Sequence, residues 1–248
     1  VDDLATTVSA EVGDIAALDV LARALHVKNA ELQPTLDAIV TTAVSTIPAA
    51  SDAGLILVQH HELVPQSTTG SPPHLLDLLQ QKTRSGPCLE TAQSQTVTRV
   101  DNTASDARWP EFMAQAVSLG VGSMLCVPLW VDERTLGALS LYSDRPMSFH
   151  GQEEQTVSLF ATLSALALVG AQRAAQLQSA LRNREIIGQA KGILIERLRV
   201  TEDAAFVLLA QASQKQNQKL VAVAQHLVDT GELPGAAGSS RAPSQTRN

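Results

Sequence analysis

Lys191 lies between two glycines four residues apart, in the stretch Gly188-Gln-Ala-Lys-Gly192. An ammonium beside bare helical backbone suits a phosphate, or a splayed base that must approach a helix closely. Gly in a helix interior costs roughly 0.5–1 kcal/mol against Ala, so two in one segment want a reason. On a wheel at about 100° per residue, Ile186, Ala190, Ile193, Leu194 and Leu198 share one face. Arg184, Gly188, Lys191, Gly192, Ile195 and Arg199 share another. The glycines therefore face away from the apolar stripe and leave a shallow strip flanked by cations. Two occupants fit it. One is a helix of a second chain, which small residues admit; the other is a nucleic-acid backbone with its phosphate on Lys191.

Other reactive side chains are few. Cys88 follows a Gly-Pro turn with Arg84 nearby, which admits a redox thiol as well as a structural one. Cys126 alternates along an apolar strand and reads as core. Two cysteines give neither a disulfide framework nor zinc-ligand spacing. His60 and His61 sit on or beside a strand, so they point to opposite faces; one of them as a haem ligand competes with a plain core or surface histidine. No Ser-His-Asp or paired-carboxylate arrangement stands out.

The charge is uneven. Net charge is −7 over 248 residues, yet residues 180–230 hold seven basic and five acidic side chains, against nine and nineteen in residues 1–179. An acidic body with a mildly basic end permits an anionic partner at that end. Aromatics are only 3% of the chain, which argues against base stacking as the main mode of any nucleic-acid recognition. No unbroken apolar run approaches the roughly 18 residues of a membrane span, and no basic-then-apolar leader is seen. These features predict a reduced, cytoplasmic protein with no membrane partner.

Several elements must position these residues. A short amphipathic helix is expected around Ile15 to Leu25. Leu36, Ile39, Val40, Ala43, Val44 and Ile47 predict a helix ended by Pro48. Gly54 to Val58 predicts a strand, and His60 to Pro65 continues it or turns back. Residues 66–73 read as loop, Leu75 to Lys82 as a short helix, and Arg84 to Cys88 as a turn. Val97 to Val100 predicts a strand and Phe112 to Leu119 a helix. Met124 to Val131 and Leu136 to Tyr142 predict a hairpin. From Gln152 a helix of over 30 residues is predicted, with Leu159, Leu163, Leu166, Val169, Leu177, Leu181 and Ile187 recurring at coiled-coil spacing. It predicts a dimer. Thr201 caps a further helix, with Glu202 and Asp203 in its first turn. Leu220, Val223, Ala224, Leu227 and Val228 mark another, closed by Gly231. These short helices fold back on the long one as a three-helix bundle. Residues 234–248 read as a disordered tail.

Gln189-Ala-Lys-Gly-Ile-Leu194, Thr201, Ala204-Ala-Phe206, Leu209, Ala212-Ser213, Asn217, Lys219-Leu220 and Val223-Ala224 together resemble the ANTAR domain of bacterial transcription antitermination regulators, from about Leu181 to Val228. The resemblance implies an RNA-binding bundle on a dimerising helix that takes paired stem-loops with six-base loops and keeps a terminator hairpin from forming. Carried over by position, the RNA contacts are Gln189, Lys191, Gly192, Arg197, Ser213, Gln214, Asn217 and Lys219. Arg197 borders the core stripe, so bracing the bundle is its alternative role. Ala210 and Gln211 stand where such domains often carry arginine.

Gly86-Pro-Cys-Leu-Glu90, Val97-Thr-Arg-Val-Asp101, Arg108-Trp109, Gly122 to Leu129 and Leu136 to Tyr142 resemble, in their order, a GAF domain. That implies a six-stranded antiparallel sheet with helices on one side and a pocket opposite, under residues 66–120. GAF domains sense small molecules or redox state, or serve to dimerise. The cyclic-nucleotide and bilin signatures are absent, and the cofactor is unknown. The expected α+β organisation is an N-terminal helical segment (residues 1–29), a GAF sensor domain (30–170), a coiled-coil helix with an ANTAR bundle (171–233), and the tail (234–248). The functional expectation is a homodimeric RNA-binding antitermination regulator under a small-molecule or redox signal, with Cys88 as the redox candidate. A protein-interaction module and a cysteine-based methionine sulfoxide reductase are the alternatives.

Overall fold

The computed structural model describes residues 31–59 and 62–234. The expected Ile15–Leu25 helix, His60 and His61, and all but the first residue of the expected tail lie outside the described residues. The chain divides into two compact units, the first ending at Ala175 and the second starting at Gln176.

The first unit is built on an antiparallel sheet of five strands in the order β2-β1-β5-β4-β3. They are β1 (Asp52–Gln59), β2 (Glu62–Thr68), β3 (Thr98–Val100), β4 (Ser123–Val131) and β5 (Arg134–Ser143). The expected α+β fold is present, with five strands among the described residues where six were expected. Side chains alternate across the sheet with the period of two that a strand imposes. Leu55, Leu57, Leu125, Val127, Leu129, Leu139 and Leu141 face one core cluster. Ile56, Met124, Cys126, Ala138 and Tyr142 face the other. Such strands, buried on both faces, read as near-continuous apolar runs.

The edge strand β2 carries Pro65, whose missing N–H an edge tolerates. The β1–β2 register slips between Leu55 and Ile56, where Leu55 pairs with Ser67 and Ile56 with Pro65. Gly137 in β5 is required by proximity: a Cβ there would lie 1.9 Å from the Ile56 carbonyl oxygen. The β4–β5 turn is Asp132-Glu133, with Asp132 at φ 55°, in keeping with the left-handed backbone that short hairpin turns demand.

On the first face lie α1 (Leu32–Thr46) and the start of α5 (Gly151–Leu198). Leu36, Ile39, Val40 and Ala43 from α1 meet Val157, Phe160, Ala161, Ala165 and Leu168 from α5 in that cluster. The other face is covered by α2 (Ser71–Thr83), α3 (Pro87–Ser94) and α4 (Pro110–Ser118). The segment expected as loop at residues 66–73 is instead the end of β2 and the start of α2, and the turn expected at Arg84 to Cys88 runs into α3.

Helix α5 is 48 residues long. Part of it is apolar and long enough, by length and composition, to cross a membrane. The expectation of no such segment counted unbroken runs only. Its buried residues Val157, Phe160, Ala161, Ala165 and Leu168 belong to the sheet core, which accounts for part of the apolar character; Leu159 and Leu166 are exposed.

In the second unit the end of α5 joins α6 (Glu202–Gln216) and α7 (Leu220–Thr230). Ala190, Leu194, Ala205, Leu209, Val223, Ala224 and Leu227 form its buried core. Thr201 caps α6, its side-chain oxygen accepting from the Ala204 N–H at 3.3 Å. Leu198, expected in the core stripe, is instead exposed, while Ile195 is partly buried against the core. The stripe ends a turn earlier because Arg199 leaves the helix with φ 54°.

Candidate functional site

The glycine strip is open. Among the described residues, a Cβ added at Gly188 or Gly192 would meet nothing within 4 Å. Neither glycine is there to let the bundle pack. Gln189 is exposed, and its side-chain amide donates to Glu185 at 3.4 Å. Lys191 is mostly covered, with 21% of its side chain exposed, and its Nζ is ion-paired with the Glu202 carboxylate at the start of α6. The ammonium in turn holds the Glu202 carboxyl below the usual carboxylate range. The sequence reading missed this partner, because an 11-residue separation across a helix break carries no periodic signal.

Ser213, Gln214, Asn217 and Lys219 gather at the α6–α7 turn. The Ser213 hydroxyl donates to the Gln218 carbonyl at 2.6 Å. Asn217 ends α6 in the left-handed region at φ 50°, a conformation Asn tolerates better than most residues. The Lys219 carbonyl accepts from the Ala222 and Val223 N–H groups at the start of α7. Ser213, Asn217 and the Lys219 backbone thus shape the turn, and Gln214, Asn217 and Lys219 are exposed to solvent.

Arg197 stands apart from both groups. Its Nη1 donates to the Gly231 carbonyl, tying the end of α5 to the end of α7. Gly231 has φ 77°, and a Cβ there would lie 2.8 Å from Arg197 Nη2. This is the bracing alternative for Arg197, and Gly fits both the turn and the guanidinium.

Phe206 is 45% exposed on α6. It is the single aromatic of residues 176–234. Glu202, Phe206, Ala210 and Ser213 fall within an arc of roughly 80° on α6.

The first unit turns its polar groups inward. Asp77 on α2 is buried, with Oδ1 accepting from Tyr142 Oη at 3.2 Å and from Gln80 Nε2 at 3.5 Å. Its Oδ2 has no hydrogen-bond partner among the described residues. Burial pushes the Asp77 carboxyl well above its ordinary value, with the nearby Cys88 adding to the effect and the Tyr142 bond opposing it. Gln80 clasps Cys88: its Oε1 accepts from the Cys88 N–H at 2.8 Å and its Nε2 lies 3.1 Å from Sγ. Cys88 Sγ also lies 2.7 Å from Ser140 Oγ and 3.7 Å from Cys126 Sγ. Both cysteines are fully buried. Burial pushes the Cys88 thiol well up. A redox-active cysteine needs exposure and a stabilised thiolate, and Cys88 has neither. Arg84, the cation considered for it, bonds Glu62 at 3.3 Å instead.

The sheet face under residues 66–120 was expected to hold a pocket. Trp109, Phe112, Met113, Met124 and Tyr142 fill it with others. An opening lies beyond this core: a cleft of 790 Å³ whose lining includes Val58, Leu63 and Leu89 together with Glu62, Lys82 and Arg84.

Comparison with known proteins follows the same division. The GAF domain family matches residues 29–169, and the ANTAR domain family matches residues 175–228. No curated protein matches the chain. Among solved structures, the chain is similar to the GAF domain from an Acinetobacter phosphoenolpyruvate-protein phosphotransferase, at 13% identity and a TM-score of 0.52, covering 66% of this chain and 97% of that one. It is similar to the GAF domain of a Coxiella burnetii phosphoenolpyruvate-protein phosphotransferase, at 17% identity and a TM-score of 0.51, covering 66% and 98%. It is also similar to the free methionine-R-sulfoxide reductase of Neisseria meningitidis, at 17% identity and a TM-score of 0.51, covering 65% and 93%. At these identities the likeness is one of fold, and the reductase's chemistry stays with that enzyme. Both matched families are regulatory rather than catalytic. The chain belongs to the GAF–ANTAR regulators, a GAF sensor domain followed by an RNA-binding ANTAR domain.

Proposed function

We propose that the chain acts in the cytoplasm as a homodimeric transcription antitermination regulator, its two ANTAR bundles taking the two six-base loops of a paired stem-loop RNA. The observation that carries this reading is the open Gly188–Gly192 strip with Lys191 beside it. RNA loops offer unpaired bases and phosphates to such a surface, whereas an A-form stem hides its base edges in a deep groove. Gln189, Lys191 and Gly192 form the strip side of the interface; Gln214 and Lys219 extend it at the α6–α7 turn, which Ser213 and Asn217 shape. Arg197 contributes by holding α7 in place.

Dimerisation runs along α5. Leu159 and Leu166 in the first unit, and Leu177 and Leu181 in the second, are all exposed by 43% or more. Their separations of 7, 11 and 4 residues return to one helix face, as a seam between two helices requires. Two linked heads gain affinity through effective concentration when the loop spacing fits. A small molecule in the 790 Å³ cleft beside Lys82 and Arg84 supplies the signal, and α5 carries it as a change in dimer geometry.

The test is binding of the full chain to a two-hairpin RNA with six-base loops at several salt concentrations, with size measured in parallel. Wild type should bind as a dimer and prefer this RNA over a loop-scrambled one. Lys191→Ala should weaken binding and flatten the salt dependence by about 0.7 in the log–log slope, one phosphate contact to a single strand. Absence of specific binding by the well-folded dimer, together with capture of a partner protein through the same strip, would favour the interaction-module reading, which the prior engagement of Lys191 by Glu202 makes the next best.

A further inference from the structure

We propose that Phe206 is a stacking platform for one unpaired base of the RNA loop, with a phosphate of the same or the adjoining nucleotide on Lys191. The inference rests on the RNA-binding reading and adds a contact to it.

Three observations converge on Phe206. Burial of its ring favours a phenylalanine, yet this one leaves 45% of its surface in water. The helix had an apolar core to offer it: Ala205 and Leu209, on the neighbouring face, are fully buried. The ring is thus directed to solvent by its place on α6 and not by lack of a core. Its surroundings suit a nucleotide. Glu202 sits one helical turn before Phe206, and side chains so spaced have Cβ atoms about 5–6 Å apart. Glu202 is the residue that holds the Lys191 ammonium, so the ring and the cation are both neighbours of the same carboxylate. A base and its phosphate are joined through one sugar, a comparable reach. Ala210, one turn after Phe206 on the same face, is too small to cover the ring from the other end.

The chemistry is that of single-strand recognition. Every base has a π-face, so stacking on an aromatic ring contributes affinity without needing a particular hydrogen-bond pattern. The scarcity of aromatics argues against a stacking platform of several rings, and one ring serves one base. Stacking involves no ion exchange, so it separates cleanly from the Lys191 contact in a salt titration.

The experiment uses the full chain and the two-hairpin RNA described above, with Phe206→Ala, Phe206→Leu and Phe206→Tyr. Phe206 is half exposed, so the variants should fold, and circular dichroism checks that they do. Phe206→Ala and Phe206→Leu should each lose about ten-fold or more in affinity, with the salt slope of wild type retained. Phe206→Tyr should stay within about two-fold. An abasic site at the stacked loop position should cost wild type the same factor and Phe206→Ala nothing further. Wild-type affinity in Phe206→Ala overturns the inference and leaves the RNA reading standing. Full activity in Phe206→Leu overturns it too, because apolar contact would then suffice. A shift of Phe206→Ala from dimer to monomer, with RNA affinity per head unchanged, assigns the ring to a second copy of the chain instead. A wild-type protein that binds no RNA overturns both readings together.

Discussion

In the first unit the polar side chains with unusual surroundings point inward. Asp77, Gln80, Cys88, Ser140 and Tyr142 contact one another under the helices that cover the sheet. In the second unit the corresponding groups point outward: Lys191 to Glu202 at the surface, Phe206 to solvent, and Gln214 and Lys219 at an exposed turn. The difference follows from the size of the two cores. The sheet has two apolar faces, each covered by helices, and its interior can enclose a hydrogen-bonded polar cluster. The bundle buries seven residues, three of them alanine. A core that small has no room for polar side chains, so the chemistry of the bundle has to lie on its surface. The first unit can respond to a signal through its interior or its cleft, whereas the second must meet its partner face to face.

The largest effect that would sharpen this contrast comes from Leu209, which is fully buried in the bundle. Leu209→Ala should cost about 2–5 kcal/mol, as large-to-small core changes do. In so small a core that is enough to melt the bundle well below the first unit. The two readouts separate naturally. Trp109 and Trp130, the two tryptophans of the chain, both lie in the first unit. Tryptophan fluorescence should therefore show an unchanged transition while the helical circular dichroism signal gains an early one. Coincident shifts in both signals would mean that the two units unfold as one.

A smaller effect is expected from Asp77, whose Oδ2 is buried without a partner among the described residues. Burial raises its folded pKa above the unfolded value, so the folded state holds the proton more tightly. Between the ordinary carboxylate range and the raised value, the unfolded chain is ionised and the folded one is not. Stability from this group is therefore complete at acid pH and declines as pH rises through that window. Asp77→Asn removes the titration. Its stability, followed by tryptophan fluorescence, should gain on that of wild type on going from pH 4 to pH 8, because only the wild type loses stability through that window. A wild-type profile with no such decline would place the carboxylate in contact with water.

How much of this was legible beforehand differs between the units for the same physical reason. The strands of the sheet announce themselves, since Gly54 to Val58 and the 124–142 hairpin are apolar runs bounded by turn residues. Helix α3 did not, because an eight-residue helix of mixed polarity that opens on Pro87 shows too little periodicity. Strand β2 was ambiguous because Pro65 and its neighbours carry the polar composition of an edge. In the bundle, the residue types of the motif pointed to the domain, and the wheel set Gly188 and Gly192 off the core, while what the individual side chains bond to did not follow. Ser213 and Asn217 look like recognition residues by type and help build a turn. Leu198 looked buried because a wheel assumes that the stripe continues to the helix end. Side-chain pairs such as Lys191 with Glu202, or Gln80 with Cys88, depend on how separate elements meet, and local periodicity holds no record of that.

The smallest effect concerns the pair that joins the two sides of the proposed interface. Glu202 is exposed, and the Lys191 ammonium lowers its carboxyl pKa. The sign follows from linkage. Whatever stability the pair supplies is present above the ordinary carboxylate range and is lost as pH falls through the lowered value. Exposure and salt screening keep that supply small, so Glu202→Gln should leave the melting of the bundle nearly unchanged at neutral pH. Its effect on RNA should be visible. In wild type a phosphate can reach Lys191 only by displacing a carboxylate that already neutralises it, and the displaced carboxylate then repels the RNA. In Glu202→Gln the ammonium is free. Affinity for the two-hairpin RNA should rise a few-fold at low salt, and the gain should shrink as added salt screens the carboxylate's repulsion. A fall in affinity would reverse the assignment: Glu202 would then be the residue that aims Lys191, and the ion pair would belong to the bound state as well as the free one. Either result bears on the contrast between the units, because it decides whether the bundle's surface chemistry is held in check by a neighbour or organised by one.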